Sequence, residues 1–201
     1  MKLFFLLLTG YLVGSIPFAL VIGKVFYKTD VREYGSKNLG GGNTGRVLGK
    51  KAGVAVMTLD LLKVTFVVFL ATRLFQDEAV ISCAGLAATV GHCWPVFARF
   101  KGGKAVATMY GFLFGLFVCA GYGPFMFLFP LLVFLLVLKC TKIIALSSIL
   151  SAVAVVGYAF LTGASQPVVL ALLLFAALII VRHKTNFARM RRREENKVSW
   201  I

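Results

Sequence analysis

The chain has 201 residues, of which 60% are hydrophobic and 14% are charged. Soluble globular proteins are roughly 45–50% apolar and about 25% charged, so this composition excludes a soluble domain and predicts an integral membrane protein. Lys and Arg number 22 against 7 Asp and Glu, which gives a net charge of +15. Because most basic residues lie between or after apolar runs, we attribute them to membrane topology and anionic ligands and expect no nucleic-acid partner.

Seven apolar runs are candidates for membrane helices, because a helix needs about 20 apolar residues to cross the bilayer core. Backbone in lipid must satisfy its own hydrogen bonds, so the runs are predicted to be helical. The expected fold is all-α, one polytopic membrane domain over residues 1–201 with seven transmembrane helices. The runs cover roughly residues 3–25, 52–72, 79–98, 104–120, 122–138, 143–161 and 166–181.

The loop charges predict the orientation of the chain. The first, third and fifth loops and the C-terminal tail are positively charged, whereas the second loop is acidic and the fourth and sixth carry no charge. The positive-inside rule therefore places the N-terminus outside and the C-terminus in the cytoplasm. Only an odd number of spans allows this arrangement, and seven satisfies it.

The first loop contains a Gly-rich segment over residues 34–46, with five glycines among hydrogen-bond donors and basic groups. Such a backbone can turn its N–H groups inward to bind an anion. Ser36, Asn38 and Asn43 add neutral donors, and Arg46 adds charge. A formal match to the dinucleotide fingerprint lacks the preceding strand and the βαβ unit, so we reject it. A phosphate or oxyanion site is favoured over a flexible linker.

The third loop, over residues 91–104, combines a helix break with basic residues. Pro95 and Gly102-Gly103 interrupt the helix and free backbone N–H groups, which is tolerated only where protein or water satisfies them. Lys104 begins the next apolar run, and a helix N-terminus attracts anions. His92 is either a packing residue or a functional group, and the adjacent break favours function.

Two further segments carry unusual residues. Asp60 and Lys63 lie three residues apart within the second apolar run, so they share a helix face and can pair. Whether this pair is structural or functional stays open. The tail begins with a basic stretch in which His183 and Asn186 share a face and could reach the same site as the two loops.

These motifs, in this order, resemble the PlsY family of bacterial membrane acyltransferases. The similarity runs nearly end to end, and it rests on Ser36-x-Asn38-x-Gly40-x-x-Asn43-x-x-Arg46, on Gly91-His92 through Lys101-Gly102-Gly103-Lys104, on Arg182-His183-Lys184-x-Asn186 with Glu195, and on Asp60-x-x-Lys63. The resemblance implies transfer of an acyl chain from acyl phosphate to glycerol 3-phosphate. This is the entry step of phospholipid synthesis, and it implies a location in the bacterial cytoplasmic membrane.

The resemblance, with the chemistry of the side chains, suggests a role for each residue. We expect no cofactor and no metal, because charged groups and amides can stabilise the anions, and we expect a monomer among membrane lipids. His92 is a general base, or an orienting hydrogen-bond partner with a substrate phosphate accepting the proton. A third option, Ser36 as a covalent nucleophile, is disfavoured because no Ser–His–acid arrangement can be read from the sequence. The expected acyl-phosphate ligands are Asn38, Gly40, Gly41, Gly42 and Arg46; the oxyanion donors are Ser36 and Asn43; and glycerol 3-phosphate is held by Lys104, His183 and Asn186, with Lys104 also acting in catalysis.

Two other classes of protein remain as alternatives. An anion transporter or channel would need a polar path, and the spans offer few polar residues beyond Asp60, Lys63 and His92. A structural protein that recruits anionic lipid through its basic tail would leave the Gly-rich loop unexplained.

Overall fold

The computed structural model describes residues 1–198, and within them it is entirely helical, which confirms the predicted all-α class. The elements in chain order are α1 (Lys2–Gly14), α2 (Phe18–Tyr27), α3 (Gly41–Leu48), α4 (Lys50–Phe75), α5 (Glu78–Cys93), a 3₁₀ turn (Val96–Ala98), α6 (Val106–Cys119), α7 (Phe125–Thr141), α8 (Ile144–Leu161), α9 (Gln166–Arg182) and α10 (Lys184–Arg191).

Four segments of the described chain are long and apolar enough to cross a membrane: α1 with α2, α4, α5 with the 3₁₀ turn, and α8. The helices α9 and α10 meet at an angle of 55° and form a fifth segment if they are taken as one broken span. The helices α6 and α7 are apolar but shorter. Together these segments correspond to the seven predicted runs, although length and composition alone support four or five spans.

Two breaks and one extra helix distinguish the structure from the predicted runs. The first run is interrupted at Ser15–Pro17, because a proline lacks the N–H that would continue the helix. The third run ends its α-helix at Cys93, just before Pro95. The Gly-rich first loop contains the two-turn helix α3, which apolar patterning does not indicate because its residues are mostly small and polar.

The helix α4 lies at the centre of the bundle and packs against α1, α3, α5 and α6. Glycines allow the closest approaches: a Cβ atom at Gly111 would collide with the Leu61 carbonyl of α4, and one at Gly14 would collide with the Ala88 carbonyl of α5. On the far side of α6, the rings of Phe112 and Phe175 stack with centroids 5.0 Å apart. Small residues therefore set helix spacing, as is common in membrane bundles.

Arg182, the last residue of α9, fastens the loop that precedes α6. Its Nε–H donates to Gly103 O and its Nη2–H donates to Gly102 O, both at 3.0 Å. The guanidinium carbon also lies 5.4 Å from the centroid of the Trp94 ring. Because two buried carbonyls of a non-helical segment receive charge-assisted hydrogen bonds here, the backbone groups freed by the helix break are satisfied within the protein.

We predict that Arg182→Lys destabilises the protein, because lysine keeps the charge but cannot donate to both carbonyls with a planar fork. Losing one such hydrogen bond should lower the free energy of unfolding by about 1–3 kcal/mol. Thermal unfolding in detergent measures the effect, with Arg191→Lys as the control at an exposed position. Equal melting temperatures for the two variants would contradict the role assigned to Arg182.

Candidate active site

Three segments that are distant in the sequence meet around Gly102–Lys104. Asn38, from the first loop, donates through Nδ2–H to Gly102 O at 3.2 Å. Arg182 binds the same carbonyl from the end of α9. Lys104 donates in turn to Asn186 Oδ1 on α10. The expected convergence of the two loops and the tail is therefore present in the fold.

The buried side chain of Asn43 forms hydrogen bonds with the backbone of the first loop. Its side-chain oxygen accepts the Ser36 N–H at 2.8 Å, and its Nδ2 donates to Val31 O at 2.9 Å and to Tyr34 O at 3.2 Å. The residue is 2% exposed. The Asn43 amide is thus engaged with the loop backbone, while Ser36, which it positions, is half-buried at the edge of the site.

The glycines of the first loop form the start of α3. Gly40 is the N-cap, and the first N–H groups of the helix, which include those of Gly41 and Gly42, have no intrahelical partner. Gly41 is buried against α4, where a Cβ atom would lie 2.6 Å from Gly53 O, whereas Gly42 is exposed. A glycine-rich helix N-terminus presents N–H groups and a positive dipole to an anion.

Lys104 lies before α6 in a strongly positive environment. Burial, together with the positive charges of Arg189, Arg46 and Arg182, lowers the pKa of its ammonium group to about 8, and the negative charge of Glu195 opposes this shift. Cations that repel one another while partly buried are stabilised when an anion joins them. The arrangement therefore favours binding of a phosphate-like ligand beside Lys104.

Glu195 is a site residue whose part in the geometry the sequence does not indicate. Its carboxylate accepts from Asn186 Nδ2 at 2.6 Å and from Arg189 Nε at 2.7 Å. These hydrogen bonds orient the Asn186 amide so that its oxygen faces Lys104. In the sequence, Glu195 is one of two adjacent carboxylates in a basic tail and part of the motif that resembles the family, but neither feature identifies its partners.

His183, immediately after α9, is buried with its ring orientation fixed. Its Nδ1 lies 2.8 Å from Ile179 O, which can only accept, so Nδ1 carries the proton and donates. Burial lowers the pKa of this imidazole to about 4, so the ring is neutral at pH 7. Neutral His183 therefore presents an Nε2 lone pair, which accepts a hydrogen bond.

A second buried polar cluster lies at the level of the helix breaks and includes the Asp60–Lys63 pair. Lys63 Nζ is 2.7 Å from Asp60 Oδ1, 3.0 Å from Ile16 O at the break of the first span, and 3.2 Å from His92 Nδ1. His92 in turn adjoins Gly103, because a Cβ atom there would overlap its ring. The pair therefore joins α4 to the break after α1 and, through His92, to the end of α5, and His92 contacts the residue before Lys104.

Charge at this site comes from basic side chains and backbone N–H groups. Among residues 1–198, no group of three or more His, Cys, Asp or Glu side chains is arranged to hold a metal ion.

The sequence matches the model of the glycerol-3-phosphate acyltransferase family over residues 4–193. Among similar proteins is the glycerol-3-phosphate acyltransferase of Geobacillus kaustophilus, which is 46% identical over 97% of this chain and 95% of its own length. That of Bacillus cytotoxicus is 43% identical over 98% of this chain and 96% of its own.

The fold is likewise similar to crystal structures of PlsY, an integral membrane glycerol 3-phosphate acyltransferase. Its glycerol 3-phosphate form superposes with a TM-score of 0.92 at 36% identity, covering 99% of this chain and 96% of that one. Its lysophosphatidic acid form superposes with a TM-score of 0.89 at the same identity and coverage. Sequence and fold agree over nearly the whole chain, which therefore belongs to the glycerol-3-phosphate acyltransferase family and is an integral membrane protein.

Proposed function

We propose that the protein transfers an acyl group from acyl phosphate to glycerol 3-phosphate, which yields 1-acyl-glycerol 3-phosphate and inorganic phosphate. The observation that carries this proposal is the partly buried Lys104, with Arg46, Arg182 and Arg189 close enough to lower its pKa. Two phosphate-bearing substrates would supply the negative charge that this cluster lacks. The names of the similar proteins support the acceptor, glycerol 3-phosphate.

The first loop is proposed to hold acyl phosphate. The N–H groups of the N-cap Gly40 and of Gly41 and Gly42 at the start of α3 provide donors, the helix adds a positive dipole, and Arg46 on the same helix provides charge. One Asn38 hydrogen is used by Gly102 O, and an amide has a second hydrogen to offer. An acyl chain attached to this phosphate can extend into lipid.

The segment before α6 and the start of α10 are proposed to hold glycerol 3-phosphate. Lys104 and the amide of Asn186 bind the phosphate, and Glu195 keeps that amide in position. Neutral His183 has an acceptor at Nε2 and therefore suits a glycerol hydroxyl better than a phosphate oxygen. This assignment would place the phosphate and the reacting end of the acceptor on different side chains.

The reaction requires one bond to form and one to break. The glycerol hydroxyl oxygen attacks the acyl carbonyl carbon, and the carbonyl carbon–phosphate oxygen bond breaks. The hydroxyl proton ends on the released phosphate, so atoms and charge balance. Ser36 is the proposed donor to the developing oxyanion, and Asn43 acts through it by fixing the loop. Lys104 and Arg46 stabilise the charges on the phosphates.

We infer that the seven apolar segments are seven spans, with the N-terminus outside and the C-terminus in the cytoplasm of a bacterial cell. The short helices α6 and α7 then cross the cytoplasmic membrane together with the longer ones. A monomer suffices for the proposed reaction because every assigned group belongs to this chain.

The topology can be tested by single-cysteine labelling in intact cells, starting from a chain whose native cysteines are replaced. We expect a membrane-impermeant thiol reagent to label cysteines placed between residues 162 and 166 and to leave Ser36→Cys unlabelled until the membrane is permeabilised. Labelling of Ser36→Cys from outside would refute the proposed orientation.

The donor can be tested with purified protein, glycerol 3-phosphate and one acyl donor at a time. We expect acyl phosphate to give lysophosphatidic acid at an undiminished rate in excess EDTA, and acyl-CoA or acyl carrier protein to give none. Comparable rates with acyl-CoA would disprove the proposed donor. Activity that is abolished by EDTA and restored by magnesium would disprove the absence of a metal requirement.

Lys104 gives a prediction with a defined pH dependence. Removing its charge in Lys104→Ala should lower turnover by about tenfold or more. In the wild type, kcat/KM for glycerol 3-phosphate should fall as the pH rises through about 8, because the ammonium then loses its proton. The substrate phosphate stays doubly charged over this range, since its second pKa is about 6.

Lys104→Arg is the matched control, because guanidinium remains charged at this pH. Its lower activity should vary little between pH 7 and pH 9. An equal decline in the arginine variant would show that another group titrates.

A further inference from the structure

The ammonium group of Lys63 has three hydrogens and three neighbouring polar atoms, so each of these atoms must accept a hydrogen bond. The side chain is 3% exposed, and its Nζ lies within 3.2 Å of Asp60 Oδ1, Ile16 O and His92 Nδ1. A lysine ammonium donates and cannot accept. Each of the three neighbouring atoms must therefore offer a lone pair.

For two of the neighbours this requirement is met automatically. The Ile16 carbonyl can only accept, and it lies at the helix break before Pro17. The Asp60 carboxylate also accepts, at 2.7 Å. The third neighbour, His92 Nδ1, is the only one of the three whose state is variable, because a neutral imidazole carries its proton on either nitrogen.

The competing arrangement places the proton on Nδ1 and directs it to Asp60. That nitrogen lies 3.5 Å from Asp60 Oδ1, which is longer than its 3.2 Å separation from Lys63 Nζ. An Nδ1 proton would also face the hydrogens of the ammonium group. The distances therefore favour a lone pair at Nδ1 and place the proton of His92 on Nε2.

The opposite edge of the ring faces the segment that leads into the candidate site. Gly103 lies against Nε2, since any side chain there would overlap the imidazole, and the Gly103 N–H donates to His92 O at 3.0 Å. Lys104 is the next residue. Within residues 1–198, no hydrogen bond uses His92 Nε2, so its proton remains for a ligand.

We propose that Lys63 is a positioning residue that holds His92 as the Nε2–H tautomer, so that His92 serves the site as a hydrogen-bond donor and not as a general base. This inference rests on the proposed acyl transfer. Asp60 holds Lys63 in place, and Lys63 sets the proton on the imidazole. His183 has the reverse arrangement, with its proton on Nδ1 and its lone pair on Nε2.

The assignment restricts the path of the proton in the reaction. His92 Nε2–H can stabilise an oxygen of acyl phosphate but has no lone pair with which to remove the proton from glycerol 3-phosphate. That proton passes to the leaving phosphate, directly or through another group. The Asp60–Lys63 pair thereby acquires a functional role without touching substrate.

The tautomers can be read directly because the chain has 2 histidines. The full-length protein, labelled with ¹⁵N in the imidazole rings and reconstituted in lipid nanodiscs at pH 7.5, should give one ring protonated at Nε2 and one at Nδ1 in long-range proton–nitrogen spectra. Signals are assigned with His92→Gln. Protonation of His92 at Nδ1 in the wild type would overturn the proposal, whatever the acyl donor proves to be.

Lys63→Met tests whether Lys63 sets the tautomer of His92. In this variant His92 should lose its pure Nε2–H state and gain an Nδ1–H population that pairs with Asp60, while His183 is unchanged. The matched control is Lys51→Met, an exposed lysine on the same helix, which should leave both rings and the activity unaltered. An unchanged His92 tautomer in folded Lys63→Met would contradict the positioning role.

Two replacements of His92 separate donor from base. Glutamine has an N–H that can take the place of Nε2–H but has no basic nitrogen, whereas alanine has neither. We expect His92→Ala to lower kcat about a hundredfold, as loss of a single oxyanion donor does, and His92→Gln to recover at least tenfold of that loss. Equal activity of the two variants would argue against the donor role. Failure of the wild type to use acyl phosphate would instead refute the proposed function.

Discussion

Burial of positive charge within an apolar helix bundle is the constraint on which the site depends. The charge of Lys63 is compensated entirely within the protein, since Asp60, Ile16 O and His92 accept hydrogen bonds from its three hydrogens. The charge of Lys104 is compensated only in part, because its hydrogen-bond partner Asn186 is neutral and its other charged neighbours are mainly cations. Lys63 therefore stabilises the protein structure, whereas the environment of Lys104 favours binding of an anionic ligand.

The non-helical segment Gly102-Gly103 links the surroundings of Lys63 to those of Lys104. The carbonyls of Gly102 and Gly103 receive hydrogen bonds from Asn38 and Arg182, which join the first loop and the end of α9 to the segment before α6. Because glycine lets this segment lie against His92, the Asp60–Lys63–His92 cluster and the cations around Lys104 share one short stretch of chain. Changes at either cluster should therefore affect the other.

The membrane class, the helical fold and the convergence of three segments could be predicted from the sequence, because hydrophobic runs and charged loops are local features. The helix α3 could not, because its stability depends on the fit of Gly41 against α4. The hydrogen bonds of Asn43, Arg182 and Glu195 were also inaccessible, since their partners are set by tertiary geometry. Sequence spacing suggested the Asp60–Lys63 pair but not its contact with His92.

We propose that Lys104 and its neighbours bind the phosphate of glycerol 3-phosphate while His183 faces its hydroxyl groups. The decisive measurement is an experimental structure of the protein in lipid with glycerol 3-phosphate bound. We expect the phosphate within hydrogen-bond distance of Lys104 Nζ and a glycerol hydroxyl within hydrogen-bond distance of His183 Nε2. A phosphate bound away from Lys104, or against His183 with the hydroxyls turned elsewhere, would contradict it.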